Sequence, residues 1–300
     1  MSEQNTRIQT VLVIGAGWVG RQVAARMTQF GLTVSLCDPD PDICRDATQW
    51  IVQQLQTNDA RWLPSPIRCC TSVEELHDDD RRGIDLVIEC VPEQLSLKKR
   101  VLRSLGNAFP SSTVIVSNSS YFVPSLLSQF VSQPQRFAHL HFHVPVLRDS
   151  VVDVVGCSET SASVLERLMA LVKRIGHYPL LLQREHPGYI FNWLLQSVLK
   201  SALELVAAGV ADVRMIDKSW TSVTGMQLGP FGIMDQIGLD VIEQVLNNAK
   251  WSDVQSPDHD QLLQLIRQHA DQGQLGTKTL RGFYHYDASG NILDCPDDSP

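Results

Sequence analysis

The chain has 300 residues, with 25 basic against 33 acidic side chains and a net charge of −8. At 43% hydrophobic and 19% charged it can repay the ordering entropy of about two domains, which excludes wholesale disorder. An acidic surface does not attract polyphosphate, and no apolar run approaches the ~20 residues of a membrane helix, so neither nucleic acid nor membrane is an expected partner.

Met1 to Gln9 is polar and lacks the charged-then-apolar layout of a secretory signal. Val11 to Ile14 is a continuous apolar run, the pattern of a strand buried on both faces of a parallel sheet. Val19, Val23, Met27 and Phe30 then fall at helical spacing, with Gly31 as a stop. Further strands are predicted at Leu32–Cys37, Ile67–Cys70, Asp85–Cys90, Thr113–Ser117, Arg136–His143, Val151–Val155 and Tyr178–Leu182. A helix is predicted over Gln94–Leu105, with Leu95, Leu102 and Leu105 on one side. Strands alternating with helices give a parallel, doubly wound α/β sheet. Cys37, Cys44, Cys69, Cys70, Cys90 and Cys157 form no CxxC pair and read as reduced core thiols, as suits a cytoplasmic chain.

The texture changes near Gln183–Gly188. Helices with apolar stripes are predicted at Tyr189–Ala208, Val213–Val223, Gly232–Ile237 and His259–Ala270, punctuated by Gly209, Gly225 and Leu228-Gly229-Pro230. The boundary is set at residue 185, dividing an α/β domain (1–185) from an all-α domain (186–300). Asp287 to Pro300 is polar and Asp-rich and is expected to fray.

Gly15-Ala16-Gly17-Trp18-Val19-Gly20 is a GxGxxG that follows a strand and opens a helix. Gly15 permits the tight turn, Gly17 lets a pyrophosphate approach the backbone, and Gly20 lets helix and strand pack closely. The helix N-terminus offers its N–H groups to phosphates. Asp38 closes the second strand, where a carboxylate accepts both ribose hydroxyls and repels a 2′-phosphate; Pro39, Asp40, Pro41 and Asp42 follow without an Arg. The motif therefore reads as an NAD site in preference to NADP, rather than a glycine-rich turn with a surface Asp.

Ser117-Asn118-Ser119-Ser120 ends a strand, and His139-Leu140-His141-Phe142-His143 is followed by Asp153 inside Val-Val-Asp-Val-Val. A carboxylate in an apolar strand is costly without a partner, and a His on the neighbouring strand is a natural one. Such a pair orients the imidazole and raises its basicity. With Ser120 to hydrogen-bond a substrate oxygen, this is a general base beside a nicotinamide, suited to alcohol oxidation by hydride transfer. Two other readings stand beside it. Asp153 can be a surface carboxylate on an edge strand. The alternating histidines can hold zinc, although no third ligand cluster is apparent and no metal is expected.

These residues carry a resemblance to the 3-hydroxyacyl-CoA dehydrogenase family over nearly the whole chain. It rests on GAGWVG, on residues 89–99 (ECVPEQLSLKK), on SNSS, on HLHF followed by VVDVV, and on residues 186–192 (HPGYIFN). Residues 228–240 (LGPFGIMDQIGLD) and 276–284 (GTKTLRGFY) extend it. The resemblance implies a Rossmann-like NAD-binding domain followed by an all-α domain, with fatty-acyl metabolism as the setting. It implies His141 as catalytic base, Asp153 as its carboxylate partner, and Ser120 and Asn192 around the substrate's oxygens. Glu93, Lys98 and Lys278 fall where the family contacts NAD. Read alone, Glu93 and Lys98 are helix-start charges and Asn192 a helix-surface residue. The family's usual state is a homodimer through the helical domain.

The sequence also departs from the family. Asp153 stands where Glu is usual, and Phe142-His143-Val144-Pro145 replaces Phe-Phe-Asn-Pro. There is no lysine before Lys98, whereas CoA brings several phosphate charges; Arg45, Arg61 and Arg68 are the substitutes available. The expected activity is oxidation of the 3-hydroxyl of an acyl-CoA. The alternatives are a smaller non-CoA 3-hydroxy acid, as in gulonate- and carnitine-type dehydrogenases, or an NAD-binding protein without catalysis. For the smaller acid, Arg148 is either a carboxylate clamp or a solvated loop arginine.

Overall fold

The computed structural model describes residues 7–57, 67–247 and 259–293. The chain divides into two compact units, Met1–Ile190 and Phe191–Pro300. No helix among the described residues is long and apolar enough to cross a membrane.

In the first unit the elements run β1 (Thr10–Ile14), α1 (Trp18–Gln29), β2 (Thr33–Cys37), α2 (Pro41–Thr57), β3 (Arg68–Cys70), α3 (Asp78–Arg82), β4 (Leu86–Glu89), α4 (Leu95–Ala108), β5 (Val114–Ser117), α5 (Pro124–Ser128), β6 (Phe137–Phe142), β7 (Val151–Gly156), α6 (Ala162–Arg174) and β8 (Tyr178–Leu181). They build one sheet in the order β3-β2-β1-β4-β5-β6-β7-β8. The order reverses between β1 and β4, which opens a crevice at the carboxyl ends of the strands. Alternate residues feed opposite layers. Val11 and Val13 join one apolar cluster with Ile88 and Val116, while Leu12 joins another with Val87 and Ile115. Each such side chain contributes roughly 1.5–3 kcal/mol of burial.

The sheet is not parallel throughout, as alternation of strands and helices predicted. β7 runs antiparallel to β6. Residues 143–150 between them hold no helix, and a connection that short cannot cross over to a parallel neighbour. The reversal sets His141 directly opposite Asp153 in the ladder. Cys69 is also a correction: it is exposed on β3, which carries the sheet's edge, whereas Cys37, Cys44 and Cys70 are buried.

The second unit contains α7 (Phe191–Ala207), α8 (Val213–Thr224), α9 (Pro230–Ile237), α10 (Leu239–Asn247) and α11 (His259–Ala270). α7 begins after Tyr189, whose φ of 51° takes it out of the helix predicted to include it. Two buried aspartates hold this unit together. Asp217 accepts from the N–H groups of Phe231 and Gly232 (both 2.9 Å) and from the Tyr284 hydroxyl at 3.1 Å. Asp235 accepts from Phe283 N and Tyr284 N (both 3.0 Å) and from the Tyr286 hydroxyl at 2.8 Å. Residues 228–240 and 276–284, conspicuous in the sequence, are thus tied to each other by backbone capture. Of the stretch expected to fray, residues 294–300 lie outside the described residues, while Tyr286 pairs with Ile292 in a short bridge.

Candidate active site

The glycine turn joins β1 to α1. A Cβ on Gly15, at φ +94°, would sit 2.8 Å from the Cys90 carbonyl oxygen, and one on Gly20 would sit 1.9 Å from the Gly15 oxygen. Gly17 differs: a Cβ there would meet nothing within 4 Å, and the residue faces a cavity of about 720 Å³. Gly17 caps α1 without a side-chain bond, so the helix N-terminus is turned to the cavity undecorated. Asp38 also lines the cavity, and its Oδ2 accepts the Ala16 N–H at 2.9 Å. Val19 and Trp18 complete this side, with Trp18 edge-on to Trp50 at 5.7 Å between ring centroids. An open backbone at a helix N-terminus and a carboxylate at the end of β2 fit the pyrophosphate and ribose of NAD.

Glu93 and Lys98 both lie on the cavity wall. Lys98 is 1% exposed, and its Nζ donates to Glu89 Oε1 at 2.7 Å and to the Val91 carbonyl at 3.1 Å. Glu93 Oε2 stands 3.3 Å from the same ammonium. Burial works against the charge of Lys98, but Glu89 and Glu93 more than offset it, so its pKa is held above the ordinary lysine value. Glu89 also accepts from Ser117 Oγ at 2.6 Å and Val91 N at 2.8 Å, and Glu93 accepts from Ser119 Oγ and, at 3.0 Å, from Tyr121 N. What Lys98 holds directly is a carboxylate pair. Glu89, fully buried, is a site residue that sequence reading missed. Its signal was a charge closing the apolar run Leu86–Ile88.

At the end of β6 the imidazole of His141 is fixed at both nitrogens. Nδ1 lies 3.0 Å from Asp153 Oδ2 and Nε2 lies 3.1 Å from Ser120 Oγ. An ionised Asp153 accepts only, so Nδ1 carries the proton and Nε2 keeps its lone pair for the Ser120 hydroxyl to donate to. Asp153 is fully buried. Burial pushes its pKa up, but the two histidines His141 and His143 outweigh this and keep it below the usual carboxylate value. His141 is held below the usual imidazole value, chiefly by burial, against the opposing pull of Asp153. It is therefore neutral and competent as a base at neutral pH.

His143 and Tyr189 also belong to this cluster. His143 Nε2 reaches the same Asp153 Oδ2 at 2.9 Å. Tyr189, whose pKa burial pushes well up, donates to the Ser119 carbonyl at 2.7 Å, so at 2.7 Å from His139 Nδ1 it accepts. His139 is thus a buried structural histidine. Asn118 Oδ1 accepts the Phe142 N–H at 2.9 Å and ties the end of β5 to β6. Ser120 lines the cavity, so one hydroxyl joins the cofactor side to the imidazole. Asn192 stands at the start of α7 in the second unit, and Lys278 is ion-paired there with Asp240. Arg148 is exposed in the loop after β6 and is not among the cavity's lining residues.

Two family models match this chain: the 3-hydroxyacyl-CoA dehydrogenase NAD-binding domain over residues 10–185, and the C-terminal domain of the same family over residues 188–286. The chain belongs to the 3-hydroxyacyl-CoA dehydrogenase family. It is thus an NAD-dependent oxidoreductase of the kind that acts on CH–OH. Rat mitochondrial hydroxyacyl-coenzyme A dehydrogenase is 30% identical over 93% of this chain and 91% of that protein. The 5-formyl-3-hydroxy-2-methylpyridine 4-carboxylate 5-dehydrogenase of Mesorhizobium japonicum is 26% identical over 93% and 91%. A solved diketoreductase structure superposes with a TM-score of 0.82 at 30% identity, over 93% of this chain and 99% of that one.

In this member of the dehydrogenase family two of the arginines offered for CoA lie on the surface in exposed ion pairs. Arg45 pairs with Asp42 at 2.7 Å and Arg68 with Asp80 at 3.1 Å; Arg61 lies outside the described residues. The zinc reading gains a third group, since ligand atoms of His141, His143 and Asp153 lie within 4.8 Å of one another. Those atoms are already joined as donors and acceptor, and the dyad accounts for them. Activity is expected to persist after dialysis against a chelator. Loss on chelation with recovery on adding zinc would sink that expectation.

Proposed function

We propose that the chain oxidises the 3-hydroxyl of an acyl-CoA, with His141 as general base. The observation that carries this reading is the chain Asp153–His141–Ser120 running from the sheet into the cofactor cavity. His141 Nε2 takes the hydroxyl proton while Asp153 holds Nδ1–H and stabilises the imidazolium. The hydride leaves the carbon as the carbonyl forms, and NAD when bound supplies the acceptor. Ser120 and Asn192 hold the substrate's oxygen. Gly15, Ala16, Gly17, Trp18, Val19, Gly20 and Asp38 hold the dinucleotide, and Glu93, Lys98 and Lys278 stand at positions where the family contacts NAD. The helical unit exposes Leu194, Leu205, Met215 and Val223, apolar surface suited to a second copy of the chain. The free thiols suit a reducing, cytoplasmic setting.

Replacing Asp38 by Ala is expected to weaken NADH binding about tenfold and to narrow the preference over NADPH. Fluorescence titration with both nucleotides reads this, and unchanged NADH affinity would count against the ribose role.

A second reading is a smaller 3-hydroxy acid, favoured by the lack of any lysine before Lys98 to meet the phosphates of CoA. NADH oxidation with acetoacetyl-CoA, run beside free acetoacetate, separates the two. A rate that requires CoA supports the first. A rate with acetoacetate alone supports the second. NADH binding with no turnover of any 3-oxo substrate would reject both and leave a binding protein.

A further inference from the structure

Two departures from the family pattern meet at one oxygen. Asp153 is one methylene shorter than the usual Glu, and position 143 carries an imidazole in place of a phenyl ring. In the structure Asp153 Oδ2 lies 3.0 Å from His141 Nδ1 and 2.9 Å from His143 Nε2. The other oxygen, Oδ1, is buried and has no hydrogen-bond partner among the described residues. His141 alone would therefore hold the carboxylate by a single bond, leaving it free to turn about its last torsion, which is a broad one. The second N–H fixes that torsion. The two imidazoles pack edge-on, with centroids 4.6 Å apart, so each also limits the other's ring rotation.

We propose that His143 is a positioning residue for the general base, holding the short Asp153 carboxylate where Oδ2 reaches His141. This rests on the reading of His141 as base. His143 acts through Asp153 and not on the substrate. The usual Glu and phenyl pair and the present Asp and imidazole pair are then two solutions to one packing and hydrogen-bonding problem. Each half is poorly matched to the other's partner. A Glu at 153 reaches one methylene further into space that His143 fills, and a phenyl ring at 143 leaves the Asp with one donor.

The test is a set of variants assayed in the full chain: His143→Phe, His143→Gln, Asp153→Glu, the double variant His143→Phe with Asp153→Glu, and His141→Asn as reference. His143→Phe is expected to lower kcat about tenfold with the KM for NADH unchanged. His143→Gln, which restores an N–H donor of similar reach, is expected to recover most of the loss. Asp153→Glu is expected to be impaired, and the double variant to be better than the product of the two single effects. Retained NADH binding confirms folding in each. Full activity in His143→Phe, or no rescue by Gln, would overturn the proposal while a dead His141→Asn left the base assignment standing. An active His141→Asn would remove both. ¹⁵N NMR of the histidine side chains detects the positioning without turnover: His141 is expected as a single Nδ1–H tautomer in the parent and as a tautomer mixture in His143→Phe. An unchanged His141 spectrum in that variant would sink the idea.

Discussion

His141→Asn is expected to lower hydride transfer about a thousandfold while NADH affinity stays within about twofold. The asymmetry follows from the geometry. The imidazole is bonded to Asp153 and Ser120 and is not among the residues lining the cofactor cavity. The Asn side chain can still bond Asp153 but offers no base of useful strength. The pH profile gives a second reading. Burial holds the His141 pKa below the usual imidazole value of about 6.5, so the neutral, proton-accepting form predominates at pH 7. Oxidation of the alcohol should fall only as the pH drops below that value, and reduction of the ketone, which needs the imidazolium, should rise there. Stopped-flow hydride transfer in both directions checks it. A thousandfold loss of NADH affinity in place of a loss of rate would mean that His141 holds the cofactor and is not the base.

The second large effect is on stability. Lys98→Met is expected to cost about 3–5 kcal/mol, because it leaves Glu89, with no exposed surface, without its cation. Ser117 Oγ and Val91 N still donate to Glu89, which places the cost nearer the lower figure. Replacing Lys98 and Glu89 together by apolar residues should cost far less than Lys98→Met alone, since the desolvation of both charges disappears with them. Urea unfolding of the three proteins measures this. A Lys98→Met variant within about 1 kcal/mol of the parent would show that Glu89 is protonated or hydrated. The same variant also takes the ammonium from Glu93, leaving it the donors Ser119 and Tyr121, so a rise in the KM for NADH is expected alongside.

The parts of the fold legible in the sequence were those with strong local period. β1, α1 and the glycine turn between them announce themselves because each glycine answers a separate steric demand. α2 is harder: its buried stripe is Cys44, Ala47, Ile51 and Leu55, and half of it is small side chains that leave little apolar signal. α10 follows Gly238 almost at once, so the punctuation that ends α9 masks a new helix. The direction of β7 is invisible to pattern, because a buried antiparallel strand has the same composition as a parallel one. Only the short connection after β6 carries that information. In the site, Asp153 was legible as a charge among valines. Its second donor, His143, was not, because that depends on β7 running back beside β6, and the Lys98–Glu89 bond was not, because it depends on how α4 folds against the end of β4.

The His141–Asp153 pair is spaced by a β-ladder and not by a loop. Its tolerance is therefore that of sheet hydrogen bonding, and its failure mode is all-or-none: a slip of one residue between β6 and β7 would turn one partner to the opposite face of the sheet. Substrate preference is free of that constraint. Val144 and Arg148, exposed in the connection between β6 and β7 and outside the ladder, can be changed without moving the proton-transfer pair. A scaffold of this kind lets a lineage trade one hydroxy acid for another while the chemistry stays in register.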